Sequence, residues 1–307
     1  MNVLDSVWLE QSKKDKIIKE IILTADFETA YYTVCKYITC RSLQPLHASI
    51  IHNVSDNQAS MDLAPRGHGK STIGDVDFCI TKVLRNPDIR IMIGSKTQTQ
   101  ASAFLKEIRT HFEQNVNLIR IFGDWKKSRD NVWNDKEFTV NRRTVIKKEA
   151  TVSALGASGA VVSKHFDIII GDDLVGFENA RTEAQRKVLK EWFYSSLYPT
   201  LEPDGEIHIL GTRYSPMDLY EDLIKGKNYK VNVQQAITVK DGQEYSLWES
   251  KFSLEKLRSI REEAGLIIFN MQYQNNTELA KGKIFKYKYF KHFEEYDIDY
   301  DLNRVRV

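Results

Sequence analysis

Cysteine, long apolar runs, internal repeats and net charge are all scarce in this 307-residue sequence. Three cysteines (Cys35, Cys40 and Cys79) are too few, and odd in number, for a disulfide scaffold. Cys35 and Cys40 have no second Cys or His pair nearby, so reduced core thiols are expected rather than a zinc site. Nowhere do ~20 apolar residues run together, and the opening stretch MNVLDSVWLEQSKKDK holds no signal-peptide core. The expectation is a soluble, cytosolic protein without a membrane partner. With 44 Lys and Arg against 42 Asp and Glu, the formal charge is only +2. That excludes a histone-like electrostatic binder and confines any nucleic-acid contact to a local patch. Disorder is excluded too, because 11% aromatic residues at near-neutral charge is the opposite of its signature.

What is present is a change of texture along the chain. Residues 1 to about 50 read as helical, with Ile17, Ile18, Ile21, Ile22, Phe27, Tyr31, Val34 and Tyr37 at three- and four-residue spacing. From Met61 strands and helices alternate. A strand end at 61–64 leads into the turn Pro65-Arg66-Gly67-His68-Gly69 and a helix from Lys70 to about Leu84. A strand over 89–93 follows, then a helix capped near Thr97. This alternation predicts an α/β fold with a mostly parallel sheet covered by helices. Residues 137–146 alternate like a hairpin around Asn141-Arg142. An apolar strand over 166–173 ends in paired acids, 181–197 reads as one helix, and Ile207 to Leu210 is a short strand. Beyond Tyr229 come a hairpin turning at Asp241-Gly242 and a helix over 254–272. The tail from Lys281 reads as a linker.

Ala64-Pro65-Arg66-Gly67-His68-Gly69-Lys70-Ser71 matches a phosphate-binding loop, with Ala64 where the pattern has its first glycine. Such a loop points backbone N–H groups and a helix N-terminus at a polyphosphate. Lys70 would reach the β- and γ-phosphates of ATP and Ser71 would bind Mg²⁺, with Thr72 beside them. The strand ending in Asp172 and Asp173 would bring both acids to the same sheet edge. Asp172 would then hold Mg²⁺, and Asp173 would orient or deprotonate the attacking water. Gly211-Thr212-Arg213 follows another strand and is placed to sense the γ-phosphate. Trp125 to Arg129 and Asn141 to Lys148 are basic with aromatics between, which makes Lys126, Lys127, Arg129, Arg142 and Arg143 candidate DNA-backbone contacts.

The ordered set Pro65 to Thr72, Ile91 to Ser95, His165 to Asp173, Gly211 to Tyr214 and Phe269 to Asn276 resembles the large terminase subunit of tailed bacteriophages. The resemblance spans about Leu43 to Ala280. It implies an ASCE-type P-loop ATPase that drives double-stranded DNA into a procapsid. Implied partners are the portal protein, a small terminase subunit and further copies in a ring, usually of five, with a monomer as the isolated state. The implied location is the host cytoplasm, transiently at the portal vertex. By the same resemblance Arg66 links nucleotide state to conformation, and Thr212 couples hydrolysis to movement. His47 stands where the family often has an adenine-sensing Gln. Lys164 stands where relatives carry an Arg suited to act as a finger from the neighbouring subunit, with Arg142 and Arg143 as other candidates for that role. The organisation expected is a helical N-terminal lobe at 1–50, an ATPase core at 51–240, and a lid or linker at 241–307. The linker would lead to a C-terminal nuclease domain that is not found here. A helicase-like DNA-dependent ATPase, a P-loop small-molecule kinase and a non-hydrolysing nucleotide-gated scaffold are the alternatives.

Overall fold

Alternation along the strands decides the architecture. In the computed structural model, which describes residues 3–126, 131–157, 159 and 164–281, successive strand residues feed two separate apolar cores. Ile168 and Ile170 enter one, together with Ile91, Ile93 and Leu210. Ile169 and Phe166 enter the other, with Met92, Met61, Leu63, Ile207 and Ile209. A sheet buried on both faces in this way needs helices on each side.

The elements follow in order as α1 (Val3–Thr24), α2 (Phe27–Thr33), α3 (Pro45–Asp56), β1 (Ala59–Leu63), α4 (Phe78–Arg85) and β2 (Ile91–Ser95). Next come α5 (Gln98–Gln114), α6 (Val116–Phe122), β3 (Glu137–Phe138), β4 (Val152–Gly156) and β5 (Phe166–Asp172). After these are α7 (Phe177–Ala180), α8 (Glu183–Trp192), β6 (Leu201–Gly211), α9 (Leu219–Gly226) and β7 (Lys230–Val233). The last are β8 (Ile237–Lys240), β9 (Gln243–Ser246), α10 (Leu254–Ala264) and α11 (Leu266–Gln272). Seven strands form one sheet in the order β3-β4-β2-β5-β6-β1-β7. Every pairing is parallel except β3 with β4. The expected α/β class is therefore the observed one. Among the described residues no helix is long and apolar enough to cross a membrane.

The first core runs without a break from Ile18 and Ile22 through Tyr31, Val34, Cys35 and Ile50 to Phe78 and the sheet. Phe78 sits at its centre, with ring centroids 5.7 Å from Phe27, 5.9 Å from Tyr31 and 5.0 Å from His208.

Several sequence expectations need correcting. The residues after Phe138 do not form a hairpin at Asn141-Arg142. β3 is two residues long and pairs with β4, and the intervening loop is pinned where the Asp88 carboxylate accepts from Thr144 N and Val145 N at 2.7 and 2.9 Å. The helix expected over 70–84 begins with a wider i→i+5 winding at Thr72–Asp77 before α4. The 181–197 helix likewise widens at Phe193–Leu197. The 254–272 helix is two, broken at Gly265, whose φ of 79° suits glycine. Cys40 is exposed rather than buried, unlike Cys35 and Cys79. The hairpin turning at Asp241-Gly242 is present as β8–β9, both turn residues having positive φ as such turns require. The tail from residue 282 lies outside the described residues.

A polar chain crosses the sheet under Phe78. Ser60 Oγ and His208 Nδ1 are 2.9 Å apart, His208 Nε2 and Glu206 Oε2 3.2 Å, and Lys82 Nζ donates to both Glu206 oxygens at 2.7 and 2.6 Å. Against a burial that favours the neutral acid, His208 and Lys82 hold the Glu206 carboxyl down at about 2. Lys82, although paired, is itself pulled below its ordinary range by burial, so the carboxylate gains more from the contact. A depressed folded-state pKa stabilises the fold above the unfolded value of 4.5 and is lost as pH falls toward about 2. Glu206→Gln is therefore expected to be less stable than the parent at pH 7. The difference should close through that acid window in urea denaturation. A pH-independent difference would count against the pairing.

Candidate functional site

The site forms where β1, β5 and β6 end together. β1 runs into the turn from Ala64, whose N–H donates to Gly211 O at 3.1 Å, so the turn is docked on the tip of β6. Gly67 and Gly69 both have φ of 77°, left-handed conformations that side chains resist. Both glycines are also needed for space. A Cβ at Gly67 would lie 3.0 Å from the Phe252 ring, and one at Gly69 would lie 3.0 Å from His47 Nε2.

At the helix start Lys70 and Ser71 each meet one of the paired acids. Lys70 Nζ donates to Asp173 Oδ2 at 3.0 Å, and Ser71 Oγ donates to Asp172 Oδ1 at 2.8 Å. The β5–β6 register sets Asp172 opposite Leu210, and Asp173 N donates to Leu210 O at 2.9 Å. Asp173 has a φ of 43°, a conformation that turns the chain sharply off the strand. Asp172 is fully buried, and burial followed by the Asp173 charge raises its carboxyl to about 7. Lys70 is also buried. Burial opposes its charge, yet Asp173 and Asp172 hold its ammonium above the ordinary range.

Asp172 Oδ2 and Asp173 Oδ1 are buried and accept no hydrogen bond among the described residues. Unsatisfied carboxylate oxygens beside a serine hydroxyl are the hard-oxygen donor set that Mg²⁺ prefers, so these residues fit that ion.

The remaining candidates divide by position. Thr212 Oγ1 donates to Ala64 O at 3.1 Å, fastening the end of β6 to the phosphate loop. Arg213 is buried, with its guanidinium on Asp218 and Glu221 at 3.4 and 2.8 Å. Exposed Arg66 donates through N to Gln272 O at 3.0 Å and through Nη1 to Gln272 Oε1 at 3.2 Å. His47 Nδ1 accepts from Gln44 N at 3.1 Å, so Nε2 carries the proton and donates to His68 O at 3.0 Å. Nε2 of His47 thus braces the loop, while Nδ1 caps the start of its own helix.

Lys164 is not brought to this site. It lies at the start of β5, the opposite edge of the sheet from Asp172, and donates to Glu137 Oε2 at 3.0 Å. Of the basic patches, Arg142 is engaged by Phe122 O at 2.7 Å and lies over Trp125, while Arg143 donates to Glu149 O at 2.6 Å. Lys126 is exposed, and Lys127 and Arg129 lie outside the described residues.

Sequence reasoning missed two groups. Trp248, Lys251 and Phe252 press on the loop from the segment after β9. Phe252 stacks on His68 at 4.4 Å, Trp248 meets His47 edge-on at 5.1 Å, and Lys251 Nζ donates to Gly67 O at 2.8 Å. Their distance along the chain from the loop gave no local signal. Asp75, fully buried and facing Asp172, is the other. Its signal was available, since it follows Ser71 by four residues and so shares a helix face with it.

No protein-family model matches the chain. The large terminase subunit of Enterobacteria phage T3 is 28% identical over 270 residues, a match spanning 77% of this chain and 44% of that protein. The chain is thus similar in sequence to a phage large terminase. A point variant of the large-terminase ATPase domain of Thermus phage P74-26 superposes with a TM-score of 0.53 at 14% identity, over 79% of this chain and 96% of that one. The large terminase of bacteriophage HK97 gives a TM-score of 0.50 at 15% identity, over 84% of this chain and 55% of that one. At such identities the superpositions establish the terminase ATPase-domain fold alone. The chain spans less than half the length of its phage T3 relative.

Proposed function

We propose that this chain is the Mg²⁺-dependent, ATP-hydrolysing motor domain of a phage DNA-packaging machine. The observation that carries the reading is the double pairing of Lys70 with Asp173 and Ser71 with Asp172 at one end of a parallel sheet. An incoming triphosphate competes for Lys70, because a polyphosphate is a stronger anionic partner than one carboxylate. Asp173 is then released to accept a proton from water. Water oxygen bonds to the γ-phosphorus as the bond to the bridging oxygen breaks, and ADP and phosphate leave. Mg²⁺, held by Ser71 and Asp172, would supply neutralisation of phosphate charge. The amides of Gly67 to Ser71 orient the phosphates, and Arg66 contributes positive charge from the loop's exposed face.

Movement is read through contacts that the phosphates can disturb. Arg66 reaches Gln272 of α11, Thr212 holds Ala64, and Arg213 N donates to Asn275 Oδ1 at 3.2 Å. A change at the loop therefore reaches the segment beyond β7. Double-stranded DNA is the proposed cargo, with the portal protein, a small terminase subunit and further copies of this chain as partners in the host cytoplasm. Lys164 serves only a neighbouring copy in this scheme, since it faces away from its own loop. The test is phosphate release from ATP by the 307-residue chain with Mg²⁺, with and without duplex DNA. Release that requires Mg²⁺ is expected, and none under either condition overturns the reading. Transfer of the phosphoryl group to a small acceptor in place of water would favour a kinase.

A further inference from the structure

A triphosphate satisfies the phosphate loop, but a nucleotide also carries a base that needs a surface of its own. His47 borders the loop at Gly69, yet its ring has no hydrogen-bonding capacity left for a base edge. Nδ1 accepts from Gln44 N at 3.1 Å and Nε2 donates to His68 O at 3.0 Å. Burial holds the ring below its ordinary pKa, so it stays neutral, with one donor and one acceptor and both engaged. Phe252 is engaged too, stacked on His68 with ring centroids 4.4 Å apart and planes inclined by 8°.

Trp248 is placed differently. Its indole is half-buried, and Cζ3 would lie 3.8 Å from a Cβ at Gly69, so the six-membered ring stands against the loop. The indole N–H donates to Ser250 Oγ at 3.1 Å, which leaves the ring face as its contribution to the site. Lys251 Nζ lies 4.6 Å from the ring centroid and donates to Gly67 O at 2.8 Å, fixing an ammonium between ring and loop. The backbone is held as well, with Phe252 N donating to Trp248 O at 2.8 Å and Trp248 N to Ser246 Oγ at 3.2 Å. A rigid aromatic ring beside bound phosphates is suited to stacking a base, and every base offers it a π-face. Stacking holds a base but does not tell adenine from guanine, whereas a bidentate hydrogen bond to the base edge does.

We propose that Trp248 is the nucleobase platform of this site and that it holds purine nucleotides by stacking, without selecting adenine. The proposal deepens the nucleotide reading of the loop and rests on it. The test is calorimetric titration of the full chain with the non-hydrolysable β,γ-imido forms of ATP and GTP and with tripolyphosphate, all with Mg²⁺. The parent is compared with Trp248→Ala, Trp248→Phe and Lys70→Ala. The GTP analogue is expected to bind the parent within about fivefold of the ATP analogue. Trp248→Ala should weaken both by roughly 5- to 100-fold and leave tripolyphosphate, which has no base, unchanged, while Trp248→Phe keeps most of the affinity. A preference for the ATP analogue beyond about fivefold overturns the proposal, because hydrogen bonds would then be reading the base. So does an equal loss of tripolyphosphate, which would make Trp248 a support of the loop, or a nucleotide loss smaller than about fivefold in Trp248→Ala. Should Trp248→Ala fail to fold, Trp248→Phe still decides. Tryptophan fluorescence of the parent must be quenched by nucleotide and not by tripolyphosphate, and that quenching must vanish in Trp248→Phe. Tripolyphosphate binding that Lys70→Ala does not weaken would sink the phosphate loop itself. Lys70-dependent binding with Trp248 silent would sink this proposal alone.

Discussion

Lys70→Ala is expected to lower ATP turnover by roughly 10²- to 10³-fold, the loss seen when one preorganised charge is removed from a developing oxyanion. Two effects add in this chain. The ammonium is buried, so its attraction for phosphate is little screened by solvent. It also occupies Asp173 when no nucleotide is present, at 3.0 Å. Without it Asp173, Asp172 and Asp75 face one another with no cation, and the melting temperature of the ligand-free chain should fall as well. Lys70→Arg should not restore turnover, because a planar guanidinium fork cannot replace a point charge inside a closed turn. Steady-state phosphate release and thermal melting of the same preparations check both parts. Turnover within about threefold of the parent, a barrier change well under 1 kcal/mol, would remove Lys70 from the chemistry.

Phe78→Ala should bring the largest loss of stability. Its ring is fully buried and packs against Phe27, Tyr31 and His208. Truncation of a buried Phe costs about 3–5 kcal/mol, transfer and cavity contributions together. For a chain of this size that corresponds to a melting temperature lower by roughly 5–10 °C. The position matters because Phe78 opens α4 and joins α2 to the strand that carries His208, so the cavity would open between the N-terminal helices and the sheet. Phe78→Leu, closer in volume, should lose markedly less. A loss below about 1 kcal/mol for alanine would mean that the N-terminal helices are not part of one cooperative core.

The central strands β2 and β5 and the end of β6 were legible because they are buried on both faces and run into distinctive turns. Residues 64–71 and 166–173 fall at one sheet edge because parallel strands deliver their C-terminal ends together. The failures have local causes. Residues 137–146 alternate like a strand, but Asp88 captures the amides of Thr144 and Val145 and holds them as a loop. The helix over 254–272 kept its apolar spacing across Gly265, whose positive φ ends one helix and begins the next. The aromatic cover on the loop could not be read at all, because nothing near Trp248 or Phe252 in the chain refers to residues 67–69.

The polar chain beneath Phe78 bears on where force can travel. β6 is fastened at its lower part by Glu206 to Lys82 of α4, and at its tip by Thr212 to the phosphate loop that leads into the same helical rod. Loop, rod and strand therefore form a closed, stiff frame that cannot shear without breaking an ion pair at one end or a hydrogen bond at the other. By contrast, the loop meets the segment beyond β7 through exposed side chains, Arg66 on Gln272 and Lys251 on Gly67 O. If the chain is the motor proposed above, work done at bound phosphates would appear as deflection of that softer arm, with the frame acting as the anvil against which it moves.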